Sequence, residues 1–195
     1  MKTPFKPGTM LYPLPAVMVT CGDTPENWNI ITVGWTGTLC SDPPMCYVSL
    51  RPERHSHGLV SRTGEFVINL TTTALAKQTD WCGVKSGRDY NKFKEMNLTP
   101  EPAQVVKAPL IKESPLCLEC KVTDVRHLGT HDMFMAEVVA VDAEEGFIDK
   151  SSGQFQLNHA GLLAYSHGKY YALGEKLGGF GFSVKKKKTS GKKQN

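Results

Sequence analysis

Apolar and polar positions in this chain alternate mostly every second residue and over short stretches, a period that predicts strands rather than helices. Strands are expected over residues 16–21, 29–35, 45–51, 65–70, 116–122 and 133–141, with shorter ones at 154–157 and 169–173. In the third of these, Cys46, Val48 and Leu50 face one way and Tyr47, Ser49 and Arg51 the other. Residues 65–70 are apolar on both faces, as a covered strand should be. The next long strand sets Leu116, Leu118, Cys120 and Val122 against Cys117, Glu119 and Lys121, then loses phase near Asp124, which predicts a bulge. Glu137 is the one carboxylate in the apolar run 133–141, and if buried it needs a donor or a raised pKa. Helical patterning is brief: residues 55–60, with Ser56 near the N-cap and Gly64 just past the end, residues 71–81 with Thr72 or Thr73 as cap, and a turn over 91–96. Many short strands without strand-helix repetition argue against a doubly wound nucleotide fold, and Gly178-Gly179-Phe180-Gly181 opens no βαβ unit.

A length of 195 residues with 40% apolar content suits one domain with one well-buried core. The net charge of +4 changes this picture little, because six of the 23 basic residues lie in 185–195; the rest of the chain has 17 basic against 19 acidic residues. That lysine-rich stretch is expected to be a disordered tail and the body not to bind nucleic acid. Six cysteines without a leader-like stretch fit reduced thiols and the cytoplasm, and no apolar run is long enough to span a membrane. Cys117 and Cys120 would point to opposite faces of a strand and lack a second pair, so no metal site is expected.

Candidate chemistry concentrates between Asn29 and Val60. Trp35 precedes a small-residue corner, Thr36-Gly37-Thr38, followed by Leu39 and Cys40, where a planar ligand can approach the backbone. A plain β-corner would need the same small residues, and Cys40 suits a packing role better than a redox one. Pro43-Pro44 then returns the chain to the next strand, which ends in Ser49, Leu50 and Arg51. Arg54, His55, Ser56 and His57 follow at the start of the short helix, offering guanidinium groups, a hydroxyl and free N–H groups to a phosphate. The inferred ligand has a flat ring and a phosphate.

With the segments TGTLCSDPP, SLRPERHSH, GEFVINL, CGVKSGRDYNKF, LECKV, GTHDMFMAEVVAV and HGKYYALG in this order, the chain resembles the flavin reductase-like family of FMN-binding split barrels, nearest its flavoredoxin branch. The resemblance implies a mainly β, Greek-key-like split barrel over residues 1–184 with a few short helices. It further implies a homodimer, one FMN per subunit, and NAD(P)H as electron donor to an acceptor that the sequence leaves unknown. In relatives a polar residue at the position of Asn69 and the loop containing Lys92 lie near the flavin, and segments matching His131 and His167 approach the nicotinamide side. The expected function is NAD(P)H-dependent flavin reduction or flavoredoxin-like electron transfer. The alternative is an FMN-holding carrier that does not itself oxidise NAD(P)H.

Overall fold

A computed structural model describes residues 1–185. Twelve strands are described: β1 (Leu14–Pro15), β2 (Val17–Cys21), β3 (Asn29–Val33), β4 (Thr36–Ser41), β5 (Pro44–Leu50), β6 (Glu65–Asn69), β7 (Pro100–Glu101), β8 (Leu110–Ile111), β9 (Leu116–His127), β10 (Asp132–Ala143), β11 (Leu163–Ser166) and β12 (Lys169–Ala172). Three α-helices accompany them: α1 (His55–Thr63), α2 (Ala76–Val84) and α3 (Lys92–Glu95). Seven strands form one antiparallel sheet in the order β3-β2-β6-β9-β10-β5-β4. Its two edge strands, β3 and β4, are consecutive in the chain and joined only by Gly34 and Trp35. Two residues can join opposite edges of a seven-stranded sheet only if the sheet curls round on itself. This is the split barrel that the resemblance implies.

Period-2 alternation fills the barrel. Val17, Val19, Cys21, Ile31, Val33, Cys46, Val48, Leu50, Phe66, Ile68, Cys120, Phe134 and Ala136 belong to one buried cluster. The opposite faces of β2 and β3 present Met18 and Ile30 to a second cluster with Leu75, Cys82 and Phe93, so α2 and α3 cover the outside of that edge. Cys117 packs in a third cluster apart from Cys120, in keeping with their opposite facing.

β9 and β10 are twelve residues each, longer than their apolar runs, and the phase loss near Asp124 is a bulge: Asp124 pairs with Met135 and Val122 with Ala136, leaving Thr123 as the extra residue. Glu137 is exposed and needs no neutralising donor. The buried carboxylate is instead Glu119, 0% exposed, which accepts the N–H groups of Gln104 at 2.7 Å, Val105 at 2.7 Å and Val106 at 2.9 Å. Burial opposes its charge, but these three donors outweigh that and hold its pKa below the ordinary glutamate value.

Several expected boundaries shift. Residues 154–157 form no strand; Phe155 makes one isolated bridge to Ile148, and Leu157 opens a 3₁₀ turn. The helix expected over 71–81 is a 3₁₀ turn, Thr73–Leu75, running into α2, and neither Thr72 nor Leu75 caps with its side chain. Helix α1 continues to Thr63 and ends at Gly64 in the left-handed conformation, φ 67°. Its N-cap is Arg54, whereas Ser56 lies in the first turn and is buried. The supposed corner at Thr36-Gly37-Thr38 is the start of β4, paired along β5 in a hairpin; the chain reverses at Asp42-Pro43, a cis peptide. Small residues are needed there for a different reason: a Cβ on Gly37 would lie 3.1 Å from the Tyr47 ring. The tail assigned to 185–195 lies, apart from Lys185, outside the described residues.

Candidate functional site

Where the barrel closes, β3 is hydrogen-bonded to β2 on one side only, so its other edge offers backbone N–H and C=O groups. Ile31, Thr32, Val33 and Gly34 of that edge line a cavity of about 410 Å³. Ser49, Leu50, Arg51 and Arg54 form a second wall, and the small sheet β1-β11-β12 adds Tyr165, Gly168 and Tyr170. Gly83 lets α2 approach β3, since a Cβ there would already sit 3.2 Å from Thr32 Cβ. At the mouth, the rings of Trp35 and His131 are parallel within 5°, with centroids 6.3 Å apart. Burial, with Arg51 nearby, pushes the His131 pKa down and favours the neutral imidazole.

A smaller chamber of about 190 Å³ shares Ile31 and Arg54 with the first, making the two one cleft. Its lining includes Asn29, His55, Ser56, Lys85, Arg88 and Lys92. Helix α1 begins there without an acidic first-turn residue or a side-chain cap, so its first N–H groups remain available. Asn29 Nδ2 donates to Ser56 Oγ at 2.7 Å, and the loop crosses so close that a Cβ on Gly87 would meet Asn29 Oδ1 at 2.1 Å. Arg54 and Arg88 each donate to one backbone carbonyl, of Gly83 at 3.4 Å and of Glu53 at 3.1 Å, which leaves further donors on each fork.

Lys92 carries the most exposed consequence of this arrangement, although it is itself only 3% exposed. Its Nζ donates to Cys82 O at 2.7 Å and has no carboxylate partner among the described residues. Burial depresses its pKa to about 8. His55 is lowered too, first by burial and then by Arg88 and Lys92. A chamber that disfavours added positive charge in this way favours an anion.

The structure thus brings together Trp35, Ser49, Leu50, Arg51, Arg54, His55, Ser56, Lys92 and His131 along one cleft. It does not bring the β4 residues to it: Thr36 is buried with its hydroxyl on Tyr47 O at 2.6 Å, Thr38 and Leu39 are exposed, and Cys40 Sγ lies 3.3 Å from Asp42 O. Asn69 is also elsewhere, its amide bonded to Met18 O, Thr20 Oγ1 and the N–H of Ile111. His57 pairs with Asp132 at 2.8 Å, and His167 packs against Tyr12 with centroids 4.4 Å apart and the rings tilted by 40°, leaving only its neighbour Gly168 on the cavity wall. Sequence reasoning missed Asn29, which opens a strand and carried no motif, and Asp80 and Tyr165 of the far wall, whereas Tyr170 lies in the segment after His167 that the resemblance set near the nicotinamide side.

A flat ring fits the wide chamber, beside an aromatic side chain and an unpaired strand edge, and a phosphate fits the cationic chamber. Comparison with known proteins points the same way. Residues 9–174 match the flavin reductase like domain. An uncharacterized protein of Archaeoglobus fulgidus is 32% identical over 161 residues, covering 83% of this chain and 88% of its own. Flavoredoxin of Desulfovibrio vulgaris (Miyazaki F) superposes with a TM-score of 0.87 at 29% identity, covering 95% of this chain and 100% of that one. An FMN-binding protein from Thermus thermophilus, solved with bound 1-cyclohex-2-enone, gives 0.77 at 26% identity over 92% and 99% of the two chains. A barrel that splits at the cleft, a domain match over most of the length and this structural likeness leave one assignment: the chain belongs to the flavin reductase-like family, in its flavoredoxin branch.

Proposed function

We propose that this protein is an FMN-dependent oxidoreductase that receives electrons from NADH or NADPH and passes them to free flavin or to a further acceptor. The observation that carries the reading is Lys92, a buried cation without a carboxylate partner among the described residues, at the narrow end of a cleft whose wide end has an aromatic ring and an unpaired strand edge. When bound, FMN supplies the chemistry, accepting a hydride and releasing electrons singly or in pairs. The chain holds and tunes it. Arg54, Arg88 and the first N–H groups of α1 take the phosphate, and Lys92 adds positive charge in a region of low dielectric. The free edge of β3 offers donors to negative charge on the pyrimidine end of the ring, while Trp35 and His131 shield the mouth from water.

Purified protein titrated with FMN should quench flavin fluorescence at one site per chain and then oxidise NADH or NADPH with flavin in excess. A folded protein that ignores FMN would remove the basis of the proposal. The likeness to flavoredoxin supports a second reading, an electron carrier that keeps its flavin. In that case the nicotinamide absorbance stays flat while a chemical reductant still bleaches the bound flavin.

The working unit is a homodimer, in which a second copy covers exposed Leu39, Val141, Phe180 and Phe182. Light scattering at twice the chain mass is the expected result. Six free cysteines, five of them buried, suit the reducing cytoplasm, and none of the described helices is long and apolar enough to cross a membrane. Residues 1–184 act as one flavin-binding unit in this reading, and neither a nucleic acid nor a metal is required.

A further inference from the structure

His131 faces the cleft from the turn that joins β9 to β10, and that turn is tied down by a residue outside the cleft. Asp132, the first residue of β10, is 7% exposed and pairs in register with Leu50 of β5 and His127 of β9. Its Oδ2 lies 2.8 Å from Nε2 of His57 on α1, and its Oδ1 lies 2.8 Å from Nδ1 of His127. Both carboxylate oxygens are thus bonded, one to the helix whose start lines the narrow chamber and one to the opposing strand of the hairpin. His57 is fixed on its own side by an edge-on contact with Phe134, ring centroids 5.2 Å apart. The turn itself is closed by Leu128 N–H to His131 O at 2.9 Å, with Gly129 at φ 90°.

A two-armed carboxylate that locks the neighbouring residue does more than stabilise a hairpin, because the residue it locks is the one whose ring lies parallel to Trp35 at the mouth. We propose that Asp132 is a positioning residue: through His57 and His127 it fixes the hairpin so that His131 stays aligned with Trp35 against the flat ring of the ligand. The proposal rests on the flavin reading above.

A double-mutant cycle on FMN affinity tests it, using the full chain and flavin fluorescence. Asp132→Asn and His131→Ala should each weaken binding about tenfold, and the double variant by about the same factor, since positions acting through one contact are not additive. Losses that multiply, in a wild-type protein that binds FMN, overturn the positioning role and leave the flavin reading standing. A second readout needs no flavin: the imidazole NMR signals of His131 should move in Asp132→Asn while those of His167 stay in place. An unmoved His131 signal overturns the proposal even if the wild-type protein binds no FMN, and a moved one upholds the tether in that case. Should Asp132→Asn fail to fold, His127→Ala removes one arm at a mostly exposed ring, and a roughly threefold loss that disappears when His131 is already alanine is the supporting result.

Discussion

Two buried charges in this molecule meet opposite fates. Glu119, in the closed wall of the barrel, is enclosed by three backbone N–H groups and has its charge compensated within the fold. Lys92, at the split, has one backbone carbonyl and no carboxylate among the described residues. Burying a charge is costly unless partners replace the lost water. The wall carries its own partners, whereas the seam leaves its cation to be neutralised by something that arrives. This contrast marks the seam as the place of function more strongly than cavity size does.

The largest effect is expected at Glu119. Glu119→Ala leaves three backbone donors unpaired, the buried one of Val106 alone at about 1–3 kcal/mol, so thermal unfolding should fall by about 5 °C or more. FMN affinity of the remaining folded protein should be unchanged. Next comes Lys92→Met, which removes an uncompensated charge and should leave melting unchanged or higher, yet weaken FMN binding by about ten- to a hundredfold, the range of a charged hydrogen bond. Equal damage to stability from both variants would erase the distinction.

The same lysine gives a pH test whose two halves have opposite signs. Its folded pKa of about 8 lies below the reference 10.5, so between these values the unfolded chain holds a proton that the flavin-free protein has released. Stability of the flavin-free protein from this group therefore rises with pH across that window. FMN affinity, which needs the charged form, should fall as pH rises through about 8, and Lys92→Met should flatten that fall. Isothermal titration at several pH values checks both. The smallest effect is expected at Gly87, where alanine would press on Asn29 Oδ1 and displace the loop over the narrow chamber. Overpacking of this kind costs about 1–3 kcal/mol, and part of it should appear as weaker FMN binding.

Much of the fold could be read along the chain because period-2 alternation is a local signal: Cys46, Val48 and Leu50 point inward as their spacing says, and the phase loss near Asp124 is a true bulge. Within the site, Trp35, Ser49, Arg51, Arg54, Ser56 and Lys92 were legible from residue type or resemblance, and all line the cleft. Their roles were less legible. Ser56 has the composition of a cap but is buried against Asn29, because the chain turns into α1 two residues earlier, at Arg54. Thr36, Gly37 and Thr38 have the composition of an open corner, yet they pair along β5 and pack on Tyr47, since a hairpin partner satisfies the backbone groups that a corner would have left to a ligand.

The sequence by itself determined six of the seven barrel strands, the inward faces of β5 and of the first half of β9, the absence of a doubly wound nucleotide fold and the gathering of cations after Ser49, all of which depend on neighbours within a few residues. Only the tertiary structure decided where the barrel splits, which strand edge stays unpaired, and that Glu119 rather than Glu137 is the buried acid. It also decided that Asn29, His131 and Tyr170 share a cleft with Lys92. Those outcomes depend on sheet order and curl, which bring together residues far apart in the chain, and no local period encodes them.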